Sequence, residues 1–198
     1  MSIVVEHEKR RREILGKALD AFMEEGFEDV TFQKIADRCD ITRTTLYTYF
    51  KNKRDIFNYS IKQLLSVLEN DITEAKKTKG LSHTEKLIRV MAVIFGSIEE
   101  NRRLLTVVLT YYSHIFKNDK EPDYRFRRST VRLRHILTTM LIEGIKADEF
   151  TPKLNVKDAN ELLYSFVEAA VFRTMVLRHS SVEELKNAMK LAIQHFAR

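Results

Sequence analysis

Apolar residues recur three or four positions apart along most of this chain of 198 residues, which is the spacing of one face of an α-helix. With only 5 Gly and 2 Pro, the sequence has little of the turn chemistry that β-hairpins need. We therefore predict an all-α fold. The pattern predicts helices at residues 8–25, 31–39, 42–50 and 53–76, then from residue 82, and at 102–116, 122–147, 156–179 and 182–197.

The first three predicted helices lie close together, and a tight turn at Asp40 and Ile41 joins the second to the third. This order of elements is typical of a helix-turn-helix unit. We predict that this DNA-binding unit occupies residues 1–52. A connecting helix at 53–80 follows and fades in the polar stretch KKTKG, and a larger helical domain occupies residues 81–198.

The third helix, within the stretch ITRTTLYTYF, has more polar groups than a packing helix needs. Arg43 can reach the O6 and N7 atoms of a guanine, and Thr44 and Thr48 can offer a hydroxyl or methyl group to base edges. Tyr47 and Tyr49 carry phenols that can reach phosphates beside the major groove. These residue types indicate a helix that reads double-stranded DNA.

Residues outside this helix extend the predicted DNA surface. Lys53, at the start of the following helix, brings a cation and free backbone N–H groups to a place where an anion can dock. Thr31 and Gln33, in the first turn of the second helix, can contact the DNA backbone and a base. Thr42 is predicted to cap the third helix.

The net charge of +6 does not by itself support DNA binding, because residues 1–55 contain 11 Lys+Arg and 11 Asp+Glu. The placement of the cations matters more than their sum. One basic run is Lys9–Arg12, which is either a solvated helix face or a phosphate-binding arm. A second group consists of Arg43, Lys51, Lys53 and Arg54.

Residues from Lys9 to Phe57, and in particular TFQKIADRCDITRTTLYTYFKNKRDIF, resemble the DNA-binding domain of the TetR (tetracycline repressor) family of transcriptional regulators. In that family a Thr starts the second helix, as Thr31 does here, and an Ile-Ala pair lies inside it, as Ile35 and Ala36 do. The family's third-helix pattern is matched here by Thr42, Thr45, Leu46, Tyr47, Tyr49, Phe50 and Lys53. Asp40 departs from the family, which usually has Gly in the turn.

The resemblance implies how the protein works. The matched residues imply phosphate contacts from Thr31, Thr42, Tyr47, Tyr49 and Lys53, and base contacts from Gln33, Arg43, Thr44 and Thr48. The family further implies a homodimer on a palindromic operator, and a repressor that a small-molecule effector releases. The alternative is a ligand-binding or protein-interaction module whose helix-turn-helix does not read DNA, which Asp40 and the neutral first segment would favour.

The last two predicted helices carry more apolar residues than one buried face needs, which a partner chain would explain. The predicted dimer interface consists of Leu162, Phe166, Ala170, Leu185, Met189, Ile193 and Phe196. The candidate effector pocket consists of aromatic and Met residues of the middle helices, each of which could instead be a core residue, because pockets and cores share this composition. These are Met91, Phe95, Tyr111, Tyr112, Phe116, Phe126, Met140 and Phe166.

The face formed by Arg125, Arg128 and Arg132 is either solvated or binds an anionic effector or a partner protein. No spacing of the six His residues matches a helical metal site, and no Gly-rich phosphate loop or nucleophile elbow occurs. We therefore predict no catalytic activity, metal site or cofactor. The single Cys39 and the lack of a long apolar run predict a cytoplasmic protein without a membrane segment.

Overall fold

The structure is a computed structural model that describes the backbone of residues 3–117, 124–176 and 182–198, and the side chains of residues 5–113, 131–175 and 182–198. Within these ranges the chain forms nine helices and no strand, which confirms the all-α prediction. They are α1 (Ile3–Glu25), α2 (Phe32–Arg38), α3 (Arg43–Tyr49), α4 (Lys53–Lys77), α5 (His83–Glu100), α6 (Arg102–Lys117), α7 (Tyr124–Lys146), α8 (Val156–Val176) and α9 (Glu183–Gln194).

The first helix begins at Ile3 rather than at residue 8, so the predicted start is wrong. The added turn contains Glu6 near the positive end of the helix dipole, where an acid is favourable. Glu, Lys and Arg are also good helix formers, so the charged stretch before residue 13 continues the helix.

Contacts divide the chain into two compact units. Unit 1 consists of Met1–Val67 and Thr106–His114, and unit 2 consists of Leu68–Leu105 and Ile115–Arg198. The division therefore falls inside α4 and assigns the middle of α6 to unit 1. The domain limits at residues 52 and 80 stay a prediction.

Unit 1 has its own core, in which Leu46 and Phe50 are fully buried. An aromatic cluster extends this core. The ring of Phe27 lies 4.5 Å from that of Tyr111 and 5.0 Å from that of Phe57, and Tyr111 lies 4.8 Å from Phe57, measured between centroids. Tyr111 thus anchors the α6 segment within unit 1.

The candidate pocket residues do not share one environment. Met91, Phe95 and Met140 are buried in the core of unit 2, and Phe166 packs half-buried against that core. The two tyrosines of the set, Tyr111 and Tyr112, belong to unit 1. The side chains of Phe116 and Phe126 lie outside the described residues, as do those of Arg125 and Arg128. The pocket therefore stays a prediction.

The predicted dimer interface needs a correction. Its members Ala170, Leu185, Met189, Ile193 and Phe196 are buried in the core of unit 2, so these side chains are not available to a partner chain. The excess of apolar residues on α8 and α9 arises because both helices pack on α5 and on each other. Of the predicted set, Leu162 is 43% exposed and Phe166 is half-buried.

The C-terminal end of unit 2 depends on one glycine. A Cβ atom on Gly144 would lie 2.2 Å from Cδ2 of Phe150, a side chain that is fully buried. Phe150 in turn forms an antiparallel bridge with Ala197, and the amide of Thr151 donates to the carbonyl of Phe196. The absence of a side chain at residue 144 thus allows the chain after α7 to return across the helix.

The described residues include no helix that is both long and apolar enough to cross a membrane.

We predict that Gly144→Ala lowers the free energy of unfolding by about 1–3 kcal/mol, because the added methyl group overpacks a rigid aromatic neighbour. Urea denaturation measures this loss. The matched control is Gly96→Ala, because Gly96 is also helical but has no atom within 4 Å of the added Cβ. This control should be neutral or stabilising, and equal losses at both positions would contradict the packing explanation.

Candidate nucleic-acid interface

The turn between α2 and α3 is a Schellman motif with an aspartate in the left-handed position. The amide of Ile41 donates to the carbonyl of Ala36, and the amide of Asp40 donates to that of Asp37, both at 3.1 Å. Asp40 has a φ of 54°, a conformation that Asp tolerates better than most residues. The departure from the usual Gly therefore leaves the turn intact.

The charge of Asp40 is also paired. Its Oδ2 atom lies 3.2 Å from Nζ of Lys17, so α1 supplies a counter-charge to the turn. Arg10, also on α1, donates from Nη2 to the carbonyl of Cys39 at 2.9 Å. Two cations of the first helix thus hold the turn from which α3 begins.

The second helix is fastened to the first by ion pairs. Nζ of Lys34 and a guanidinium nitrogen of Arg38 both contact the carboxylate of Glu25, and Arg38 also contacts Glu24. The hydrogen bond from Lys34, together with the positive charges of Lys34 and Arg38, lowers the pKa of Glu25. Thr31 caps α2, because its Oγ1 accepts from the amide of Lys34 at 3.1 Å.

The third helix presents its polar residues to solvent. Thr42 caps it by accepting from the amide of Thr45 at 3.0 Å. Arg43, Thr44 and Thr48 are exposed, and Leu46 beneath them is buried. The hydroxyl of Thr48 donates to the carbonyl of Thr45 at 2.7 Å, which leaves its methyl group and lone pairs for a ligand.

Tyr47 forms an aromatic and cationic row with its neighbours. It is 51% exposed, and its ring packs against Phe32 of α2 with centroids 4.6 Å apart. Nη2 of Arg43 donates to the Tyr47 hydroxyl at 3.2 Å. The ring of Tyr47 is therefore positioned by Phe32, and its hydroxyl positions the guanidinium group of Arg43.

The remaining candidates have partners within the protein. Tyr49 is half-buried and stacks on His7 of α1, with ring centroids 4.5 Å apart and an interplanar angle of 20°. Nothing in the sequence pattern relates residues 7 and 49. The amide group of Gln33 donates to Oδ1 of Asp37 at 2.7 Å, so its carbonyl oxygen remains for DNA.

Known proteins resemble this chain in the DNA-binding segment and over its length. The profile of a family described as "Bacterial regulatory proteins, tetR family" matches residues 14–59. The fatty acid metabolism regulator protein of Bacillus subtilis is 26% identical over 163 residues, which cover 80% of each chain.

Two solved structures share the fold. The fatty acid degradation regulator FadR of Bacillus halodurans has a TM-score of 0.75 at 17% identity, over 93% of this chain and 94% of that one. FadR of Bacillus subtilis in complex with stearoyl-CoA has a TM-score of 0.68 at 20% identity, over 94% of this chain and 99% of that one. The chain belongs to the TetR family of regulatory proteins. It is a DNA-binding transcriptional regulator.

One cation that the family pattern matches has an internal role in this TetR-family regulator. Nζ of Lys53 donates to the carbonyl oxygen of Phe27 at 2.7 Å and to that of Glu28 at 3.1 Å. It also lies 4.4 Å from the ring centroid of Phe27. Burial away from water lowers the pKa of Lys53. Its ammonium group thus faces the turn after α1.

The basic run on α1 divides into two kinds of residue in this regulator. Arg10 binds the turn, and the guanidinium of Arg11 lies 4.2 Å from the ring centroid of Tyr59 and 5.3 Å from that of Phe50. Lys9 and Arg12 are exposed. Two of the four residues therefore stabilise unit 1, which the sequence pattern could not distinguish.

We predict that Thr42→Ala lowers the free energy of unfolding of this TetR-family regulator by about 1 kcal/mol, because an orphan amide of α3 loses its cap. Thr44→Ala is the matched control, since Thr44 is exposed on the same turn and its side chain makes no hydrogen bond within the described part of the chain. Urea denaturation without DNA should separate the two. A loss of equal size for Thr44→Ala would contradict the capping role.

Proposed function

We propose that this regulator is a repressor that binds a palindromic operator as a homodimer and leaves it when a long-chain acyl-CoA binds unit 2. The arrangement of α2 and α3 is the observation that supports operator reading. A formed turn presents Arg43, Thr44 and Thr48 on one exposed helix above a buried Leu46. Tyr47 and Tyr49 flank them as candidates for phosphate contacts.

Selection of bound sites from random double-stranded DNA tests this function. We expect a palindrome whose half-sites are separated by about one helical turn, 34–36 Å, or a multiple of it, because a two-fold dimer repeats the same contact on both halves. Retention without sequence preference would contradict operator reading, and an asymmetric site would contradict the dimer.

We predict that Arg43→Ala weakens binding to the selected operator by about 1–3 kcal/mol and relaxes the preference at one base position in each half-site. Tyr47→Phe is the comparison variant, because it removes the hydroxyl of a candidate phosphate contact and should therefore weaken binding to both duplexes alike. Binding is measured on the operator and on a random duplex. An equal loss on both duplexes would assign Arg43 to phosphate rather than to a base.

The exposed apolar residues of α8 and α9 support a corrected dimer interface. Leu162, Phe166, Ala169 and Phe172 follow one another on α8 at intervals of three or four residues, and Phe172 is 57% exposed. Leu191 on α9 is also 57% exposed. Large apolar groups in water favour burial against a second copy, so this surface replaces the buried residues of the predicted interface.

We predict that Leu191→Glu converts the dimer to a monomer, because the new carboxylate would lose its hydration at the interface. The matched control is Val131→Glu, since Val131 on α7 is 64% exposed and lies outside this surface. Sedimentation velocity reports the mass of each variant. Dissociation by Val131→Glu and not by Leu191→Glu would place the interface elsewhere.

The effector class comes from the relatives. The alignment with the Bacillus subtilis regulator spans 163 residues, so it extends far beyond the segment 14–59 that the family profile matches. The related FadR structure was obtained with stearoyl-CoA. Met91, Phe95, Met140 and Phe166 stay candidates for contacts with an acyl chain, because all four belong to or pack against one apolar core.

The connection to DNA binding is proposed to run through α4. This helix contributes Lys53–Val67 to unit 1 and Leu68–Lys77 to unit 2. An effector that binds one arrangement of unit 2 more tightly would shift α4 and with it the separation of the two copies of α3. When the separation of the two copies of α3 no longer matches the spacing of the half-sites, the dimer binds the operator less tightly.

We predict that stearoyl-CoA weakens operator binding by about 5–150-fold, the usual range of allosteric coupling. Coenzyme A and stearate, each alone, are the controls for the two ends of the ligand. Fluorescence anisotropy of labelled operator reports release, and calorimetry reports binding of the ligand. Tight binding of stearoyl-CoA with unchanged operator affinity would refute the coupling, and no binding at all would refute the effector class.

A further inference from the structure

The turn that follows α1 is lined by lysine ammonium groups. After α1 ends at Glu25, Gly26 takes a left-handed φ of 85° and the chain turns through residues 27–29. The carbonyls of Phe27 and Glu28 accept from Lys53, and the carbonyl of Asp29 accepts from Lys34 at 3.2 Å. Three consecutive carbonyl groups are therefore satisfied by two side chains from other helices.

Three features suit Lys53 to contact the carbonyl groups of this turn. Its charge lies near the negative C-terminal end of the α1 dipole, where a cation is stabilising. Its stem belongs to the first turn of α4, so the contact joins the end of the first helix to the start of the fourth. Its ammonium group also covers the face of Phe27, whose ring contacts Phe57 and Tyr111.

The same geometry conflicts with a phosphate contact from Lys53. A lysine that reached out to DNA would leave the carbonyls of Phe27 and Glu28 without their donor and would expose the ring of Phe27. The neighbouring cations have no such commitments. Lys51 and Arg54 are exposed, and within the described residues neither side chain makes an ion pair or hydrogen bond.

We propose that Lys53 is a positioning residue that ties the turn after α1 to α4, and that Lys51 and Arg54 carry the phosphate contacts at this end of the DNA surface. The proposal reassigns a contact that the family pattern gives to Lys53. Its second part rests on the proposed operator binding. Its first part concerns the protein without DNA, and the two can therefore be tested separately.

The experiment compares Lys53→Met, Lys51→Met and Arg54→Met. All three substitutions remove a positive charge and keep a long unbranched stem. The Tm of thermal unfolding without DNA measures how much the contact between Lys53 and the turn stabilises the protein. The salt dependence of operator affinity measures phosphate contacts, because log K falls as log salt rises, and the magnitude of this slope decreases by about 0.9 for each phosphate of duplex DNA that the protein no longer neutralises.

We expect Lys53→Met to lower Tm by about 2–4 °C, the usual effect of removing one interaction of this kind from a protein of this size, and to leave the salt slope unchanged. Lys51→Met and Arg54→Met should leave Tm unchanged and reduce the slope by about 0.9 for each subunit of the complex. An unchanged Tm and a reduced salt slope for Lys53→Met would overturn the proposal. Unchanged salt slopes for both Lys51→Met and Arg54→Met would also overturn it.

A measurement on the unaltered chain covers the case in which Lys53→Met does not fold. Reductive methylation followed by peptide mass spectrometry compares the amine reactivity of Lys51 and Lys53 with and without operator. We expect Lys53 to react slowly in both states, and Lys51 to react fast alone and several-fold more slowly on operator. Fast reaction of Lys53 alone with protection by operator would refute the tie.

The two kinds of failure are distinguishable. If the chain binds no duplex specifically, the proposed function fails, but unfolding of Lys53→Met and the reactivity of Lys53 in the protein alone still decide whether the tie exists. If operator binding is specific and Lys53 carries the salt slope, the proposed function stands and only the reassignment fails.

Discussion

The direction of α3 depends on the hydrogen bond from the Ile41 amide to the Ala36 carbonyl. This bond ends α2 and reverses the chain so that α3 can begin soon afterwards, at Arg43. It requires a left-handed residue at position 40, and its acceptor belongs to Ala36, a small residue that is fully buried. The fixed turn, the cap at Thr42 and the burial of Leu46 together determine which side chains of α3 face outwards.

Internal pairing explains how a segment with no net charge can serve as a DNA surface. Four acids of this segment, Glu13, Glu24, Glu25 and Asp40, pair with cations of α1 and α2, as in Lys17–Asp40 and Lys34–Glu25. A paired acid repels the phosphates of DNA less strongly, because the neighbouring cation offsets its charge. The exposed cations that remain include Arg43, Lys51 and Arg54, which lie on or beside α3.

Local features of the fold could be predicted from the sequence, and features that depend on distant contacts could not. The helical period, the turn at Asp40 and the cap at Thr42 all involve residues within a few positions of one another, so one short stretch contains both partners. The periodicity of α9 likewise predicts an apolar face. It cannot say that Met189 packs on its own chain and Leu191 faces solvent, because that depends on α5 and α8.

Side-chain roles in the site show the same limit. The residue type and position of Lys53 match the family pattern, but its hydrogen-bond acceptors lie 25 and 26 residues earlier in the chain. The stack of His7 on Tyr49 joins positions that no periodic signal connects. A motif match identifies which residues occur at a site, whereas the partner that each one takes depends on tertiary packing.

The assignment of residues 106–114 to unit 1 affects any attempt to transfer the DNA-binding unit to another regulator. A head piece cut after Val67 would contain Phe27 and Phe57 but not the Tyr111 ring that packs on both. It would carry an uncovered aromatic surface and a tendency to self-associate. A chimaera that exchanges the DNA-binding unit must therefore also carry over, or match, the segment of α6 at residues 106–114. This segment begins about forty residues after Val67.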